Sequence, residues 1–267
     1  MSAAPPAAGS LRRYFALEAR RMPRRLETAV AIAAVVIVLA THALMARLPA
    51  GLIHFLELAF RIQGLASVIV ANDLLAAYFA TYFVGLVGVL ETTVGAREAN
   101  RLEIVLAKPV RARVLLAARL APVLLAAAVV GAIVSLTVAV SIPAYLAPGD
   151  PLTTSASLGS CLFMVALALL GLALLLPLFV RMRDGFHALL AAIVLWLVPL
   201  MPTAVLIYRP DLFDGHPGLA DRTVMPSLLW HGAAVVWIGP MALVGAALVC
   251  AAMVAVAGAV LERVGVG

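Results

Sequence analysis

LGSCLFMVALALLGLALLLPLFV, residues 158–180, runs for 23 positions without a charged side chain. Wound as an α-helix at about 1.5 Å per residue it reaches roughly 34 Å, enough to cross the ~30 Å hydrocarbon layer of a bilayer. A helix is the form such a segment takes in lipid, because each backbone N–H and C=O must find its partner within the segment. Composition extends that reading to the whole chain. Of 267 residues, 65% are hydrophobic and 12% are charged, and mean hydropathy is +1.12, which leaves too little polar surface for a water-soluble domain.

The sequence therefore predicts an all-α integral membrane protein. The same ruler marks six spans, at about 28–46, 65–90, 119–142, 158–180, 186–207 and 240–261. The apolar stretch 227–261 is too long for one crossing, and Gly239-Pro240 is expected to break it, since proline cannot donate to the preceding turn and fits best at the start of a helix. Residues 227–238, with Trp230, His231 and Trp237, then read as a short re-entrant or outer-leaflet helix ahead of the sixth span. Before the first span, Leu11, Phe15, Met22 and Leu26 recur at helical spacing among arginines. Residues 10–26 are accordingly expected to lie in the interface as an amphipathic helix, and 1–9 to be a disordered leader. An arginine-rich segment ahead of an apolar run also suits a signal peptide, but this run is long enough to span and five more follow.

Six spans place both termini on one side. With the N terminus inside, fifteen of the nineteen basic residues fall in cytoplasmic segments and only Arg47, Arg61, Arg209 and Arg222 fall outside, so the orientation is N-in, C-in. A net charge of +6 could suggest nucleic acid, yet the cations sit at the ends of apolar runs, where headgroups lie, and nucleic acid is not expected as a partner. Cys161 and Cys250 lie inside apolar runs and read as small core residues.

Chemistry of the chain's own is sparse. The only lysine, Lys108, follows Ala107 rather than glycine, which excludes a P-loop. No H-E-x-x-H occurs, and Gly159-Ser160-Cys161 lacks the flanks of a nucleophile elbow, so neither a catalytic residue nor a metal site is expected. Asn72 and Asp73 are the best candidates for an intramembrane polar site of the kind secondary transporters and channels use. If the second span begins at Leu65, Asp73 lies about 12 Å below the outer boundary and should face a polar cavity. If it begins at Leu74, Asp73 caps the helix; residues 74–93 suffice for a crossing, so the cap is the expectation. His42, near the outer end of the first span, reads as an interfacial residue rather than a proton carrier. Asp211, Asp214, His216 and Asp221 read as a solvated acidic loop.

One stretch gathers charge of both signs: GAREANRLEIVLAKPVRARVLLAARL, residues 95–120. At 100° per residue Arg97, Arg101 and Lys108 fall within about 40° of one another, opposite an apolar stripe of Ala99, Leu102 and Leu106. Glu98 can pair with Arg101 at i+3. Lys108-Pro109 then ends the helix, and Arg111, Arg113 and Arg119 lead into the third span. An anionic membrane surface explains the cations but not Glu98 and Glu103, for which a protein groove is the better match.

This stretch resembles the cytoplasmic loop of ABC-2-type transporter permeases, which commonly read G-E-x-x-x-G-T-L-E-x-L-L-x-x-P-x-x-R-x-x-[IL]-L-x-[GA]-K. The residues that carry the likeness are Gly95, Arg97-Glu98, Leu102-Glu103, Leu106, Pro109, Arg111 and Leu115-Leu116; Ala96, Asn100, Arg101 and Arg119 depart from the pattern. The resemblance implies the membrane subunit of an ATP-binding cassette exporter in a bacterial inner membrane, acting as a dimer of six-span subunits. It makes residues 95–107 a coupling helix seated on a separate ATPase subunit, which holds ATP and magnesium while this chain holds no cofactor. Arg97, Glu98, Arg101, Leu102 and Glu103 would contact that ATPase, and Pro109 and Arg111 would fix the turn into the third span. The same architecture serves substrate export or conformational signalling to a periplasmic protein. Two other classes stay open, a secondary transporter or channel using Asp73 and a membrane scaffold without transport.

Overall fold

The apolar runs fold as helices. The computed structural model describes residues 9–21, 26–60, 64–99, 112–146, 152–202, 205, 209–213, 215 and 235–264, and among these there is no strand. The helices are α1 (Gly9–Arg21), α2 (Leu26–Met45), α3 (Ala50–Phe60), α4 (Leu65–Thr92), α5 (Val94–Glu98), α6 (Ala112–Ser141), α7 (Thr154–Phe179), α8 (Gly185–Leu197) and α9 (Val235–Val264). Short 3₁₀ turns extend α6 (Ile142–Ala144) and α8 (Val198–Leu200). Five helical stretches, Leu26–Met45, Leu65–Glu98, Ala112–Ala144, Thr154–Phe179 and Val236–Arg263, are long and apolar enough to cross a membrane, while Gly185–Leu200 is apolar but shorter. The protein is all-helical and multi-pass.

α4 packs against α2, α6, α7 and α8, and α9 packs against α7 and α6. Ile69, Val70, Ala77 and Val89 are fully covered, and Tyr78 and Tyr82 nearly so. In lipid there is no hydrophobic drive between helices, so close backbone approach at small residues carries the packing. Gly85 lets α4 meet Leu172 of α7 and Ala127 of α6, and Gly88 makes room for the Glu27 carboxylate of α2 and for Val123. Both glycines therefore serve the core within this chain. Gly131 of α6 admits Thr81 and Val165 in the same way.

Contacts along the helices give their directions. Gly85 meets Ala127 and Gly88 meets Val123, so α4 and α6 are antiparallel; Arg97 reaches Val180 as Gly85 reaches Leu172, so α4 and α7 are parallel. Gly159 faces Gly239 and the Leu169 carbonyl faces the Cys250 thiol, so α7 and α9 are also parallel. α8 runs back along α4: the Glu98 carboxylate meets Gly185, the Tyr82 hydroxyl meets Ala192 and the Tyr78 hydroxyl meets Trp196. One end of the bundle thus gathers Glu27, Arg97, Arg113, Arg181, Arg183 and Arg263, and will be called the basic end. The other end carries His42 and the start of α4.

Two expectations need correction. α9 passes through Gly239-Pro240 without a break. Gly239 is there for packing: a Cβ at this position would overlap the Gly159 backbone carbonyl of α7. The missing proline N–H is tolerated because neighbouring elements in a membrane bundle can satisfy the freed group. Second, α4 begins at Leu65, so Asp73 lies inside the helix and does not cap it. The chain turns instead at Gly64, whose φ of 82° favours glycine and whose N–H donates to Glu57 Oε1 at 2.8 Å. α6 begins at Ala112, ahead of the span expected from residue 119, so Arg119 lies two turns inside the helix, 3.9 Å from the buried Glu18 of α1. α1 covers Gly9–Arg21 of the stretch expected at 10–26 and packs against α6, residues 22–25 lying outside the described residues. Residues 1–8 of the leader and 227–234 of the expected outer-leaflet helix lie outside the described residues.

Candidate functional site

Two polar constellations stand out from the apolar bundle. The first is at the basic end. α4 ends at Thr92, where the Thr92 and Thr93 hydroxyls donate back to the carbonyls of Gly88 and Val89 at 2.7 and 2.6 Å and close the last turn. The chain bends at Thr93 and begins again as the short helix α5. From α5 the Arg97 guanidinium donates to the Val180 carbonyl at 2.7 Å, and Glu98 Oε1 accepts the Gly185 N–H at 2.8 Å. These two side chains fasten the α4–α6 connection to the turn between α7 and α8. Val180 offers an orphan carbonyl at the end of a helix and Gly185 an orphan N–H at the start of one, and a cation and an anion are the partners such groups favour.

Asp184 completes the turn. It caps α8 by accepting the Phe186 N–H at 3.0 Å, and it also bonds the His187 ring. The His187 bond, and then the Phe186 N–H, hold its carboxyl below the usual carboxylate range. Of the residues expected to meet an ATPase, Arg97 and Glu98 are placed here, whereas Arg101, Leu102, Glu103, Pro109 and Arg111 lie outside the described residues. The i+3 pair of Glu98 with Arg101 lies there too; the bond seen at Glu98 is with the α8 turn.

The second constellation joins α2 to α4. His42 Nδ1 and Asp73 Oδ2 are 2.6 Å apart, and Asn72 Nδ2 donates to Asp73 Oδ1 at 3.0 Å. The Asp73 side chain is 1% exposed and that of His42 10%. His42 is thus the buried partner of Asp73 and not an isolated interfacial residue. The signal for it was present in the sequence: a histidine and a carboxylate near the same end of consecutive apolar runs, in a medium where ionisable groups are almost always paired. Among the described residues no three His, Cys, Asp or Glu side chains converge as metal ligands would.

A groove of about 370 Å³ opens between α2 and α6, with apolar walls from Ala31, Val35, Val130 and Ile133 and with Glu27 and Thr28 at the basic end. Its chemistry suits an alkyl chain more than a polar solute. Comparison with protein-family models, with curated proteins and with solved structures finds no match to this chain.

Proposed function

We propose that this chain is the membrane subunit of an ATP-binding cassette exporter of the ABC-2 type, in a bacterial cytoplasmic membrane, dimeric, and driven by a separate ATPase that binds ATP and magnesium. The observation that carries the reading is the clasp of Arg97 and Glu98 on the turn between α7 and α8. A segment that receives a push from a partner must be joined to the helices it moves, and this one is joined to three: α4 by continuity, α7 through Val180 and α8 through Gly185. In this reading residues 95–107 form the coupling helix. Arg97 and Glu98 tie its start to the body while Arg101, Leu102 and Glu103 meet the ATPase.

The topology supports the same reading. α7 and α9 run parallel, so the chain must return across the bilayer between them, and α8, antiparallel to α4, is placed to begin that return. In this reading α8 opens the fifth of six crossings and α9 is the sixth. In the same reading the arginines of the basic end favour a cytoplasmic location for that end and for both termini. The apolar groove between α2 and α6 favours a hydrophobic cargo. The direct test is charge reversal, Arg101→Glu with Glu103→Lys, in the full chain. Capture of a P-loop ATPase should be lost while membrane insertion is kept; capture unaffected by the reversal counts against the proposal.

A further inference from the structure

α2 is the most loosely held of the long helices that meet the core. Of its 20 residues, Glu27, Val38 and His42 are the buried ones, and Ile32, Val36, Ile37, Leu39 and Leu44 face outward. Glu27 sits at the basic end against Gly88, and Val38 is in mid-helix. At the far end Met45 is half-buried against the core, and the polar contact with α4 is the bond from His42 to Asp73. That end of α2 is therefore seated by an interaction whose strength depends on protons.

The direction of the dependence follows from the atoms. Asp73 Oδ2 faces His42 Nδ1, and Oδ1 accepts from the neutral amide of Asn72, so the geometry serves a carboxylate with two donors. Neutral imidazole in its Nδ1–H form and imidazolium both supply the first donor, so the bond survives gain or loss of a proton on His42. A further proton on Asp73 removes the charged acceptor and leaves an imidazolium buried with no counter-charge, the costly half of a broken buried pair. Hydrating that imidazolium requires the end of α2 to move off α4.

The other titratable groups nearby do not stand in for the carboxylate. α7 presents Cys161, fully buried and within electrostatic reach of Asp73, and the turn after α6 brings Tyr145. α3, which abuts α4, carries His54 and Glu57, 3.6 Å from each other and with His54 exposed. Arg47, beyond the end of α2, is exposed. We propose that His42 and Asp73 form a proton-binding site, and that taking up a second proton there unseats the Met45 end of α2 from α4. The site needs no partner protein and is independent of the exporter reading.

The test uses the full chain in lipid nanodiscs with spin labels on two exposed positions at this end, Ala43→Cys on α2 and Ser155→Cys on α7, the native thiols being buried. A single distance is expected at about pH 7.5. A second population, longer by roughly 5 Å or half a helix diameter, is expected at about pH 5. Asp73→Asn removes the carboxylate but leaves an amide oxygen for the neutral imidazole, so it should keep the short distance at about pH 7.5 and show the longer population at about pH 5. His42→Gln keeps a donor but cannot become a cation, and should hold the short distance at both. A wild-type distance that ignores acid overturns the proposal. So does an acid response that persists in His42→Gln, a result that decides the matter even where Asp73→Asn does not fold.

Discussion

Glu98 and Gly185 stand 87 residues apart in the chain, yet a carboxylate oxygen of one accepts the backbone N–H of the other at 2.8 Å. The bond makes two loops at the basic end into one body. Glu98→Ala should free the first turn of α8. Because the bond is exposed, the expected effect is modest, about a fivefold faster amide exchange at Gly185, corresponding to about 1 kcal/mol. Exchange at Gly185 that does not change would mean that the two loops are independent.

The clasp also has a pH signature through Asp184. Its carboxyl is held below the ordinary range by His187 and by the Phe186 N–H, so the stabilisation is present above about pH 4 and is lost as the pH falls through the depressed value. Amide protection in the first turn of α8 should therefore decline in acid in the wild type. In Asp184→Asn, which can cap but does not titrate, protection of the Phe186 N–H, accepted by residue 184 and not by Glu98, should be flat over the same range.

Gly239 and Gly245 provide a paired test of helix packing on one helix. A Cβ at Gly239 meets the backbone carbonyl of Gly159, which no side-chain rotation can clear, whereas a Cβ at Gly245 meets nothing within 4 Å. Gly239→Ala should destabilise the protein by about 1–3 kcal/mol through overpacking. Gly245→Ala should be neutral or slightly stabilising, since alanine is the better helix former. Thermal midpoints in detergent separate the two, and equal midpoints would contradict the close approach of α7 and α9.

Orientation is open to direct labelling. Ala43 is exposed at the His42 end and Arg263 at the basic end. In intact cells a membrane-impermeant maleimide should reach Ala43→Cys, and should reach Arg263→Cys only after permeabilisation. The reverse pattern would invert the assignment of the basic end to the cytoplasm.

The helical, membrane-embedded nature of the chain is legible in residues 158–180 and their counterparts, because run length and absence of charge depend on the bilayer alone. The packing was less legible. Gly239-Pro240 reads as a break by local rules, but the reason for Gly239 is Gly159, 80 positions earlier, which no local pattern encodes. Asp73 reads as a cap because residues 74–93 are long enough to span. Its place inside α4 follows from the turn at Gly64 and from a partner on another helix. At the basic end the mixed charge of Arg97 and Glu98 was visible, whereas their use on Val180 and Gly185 depends on how α7 and α8 meet.

The central claim is that this chain works with an ATPase it does not contain. Purification of the wild-type protein from its native membrane in a mild detergent, followed by identification of what accompanies it, tests that claim most directly. The expected result is a P-loop ATPase in a fixed ratio to this chain, lost when Arg101 and Glu103 are reversed in charge. A preparation that retains the membrane protein intact but carries no such ATPase would contradict it.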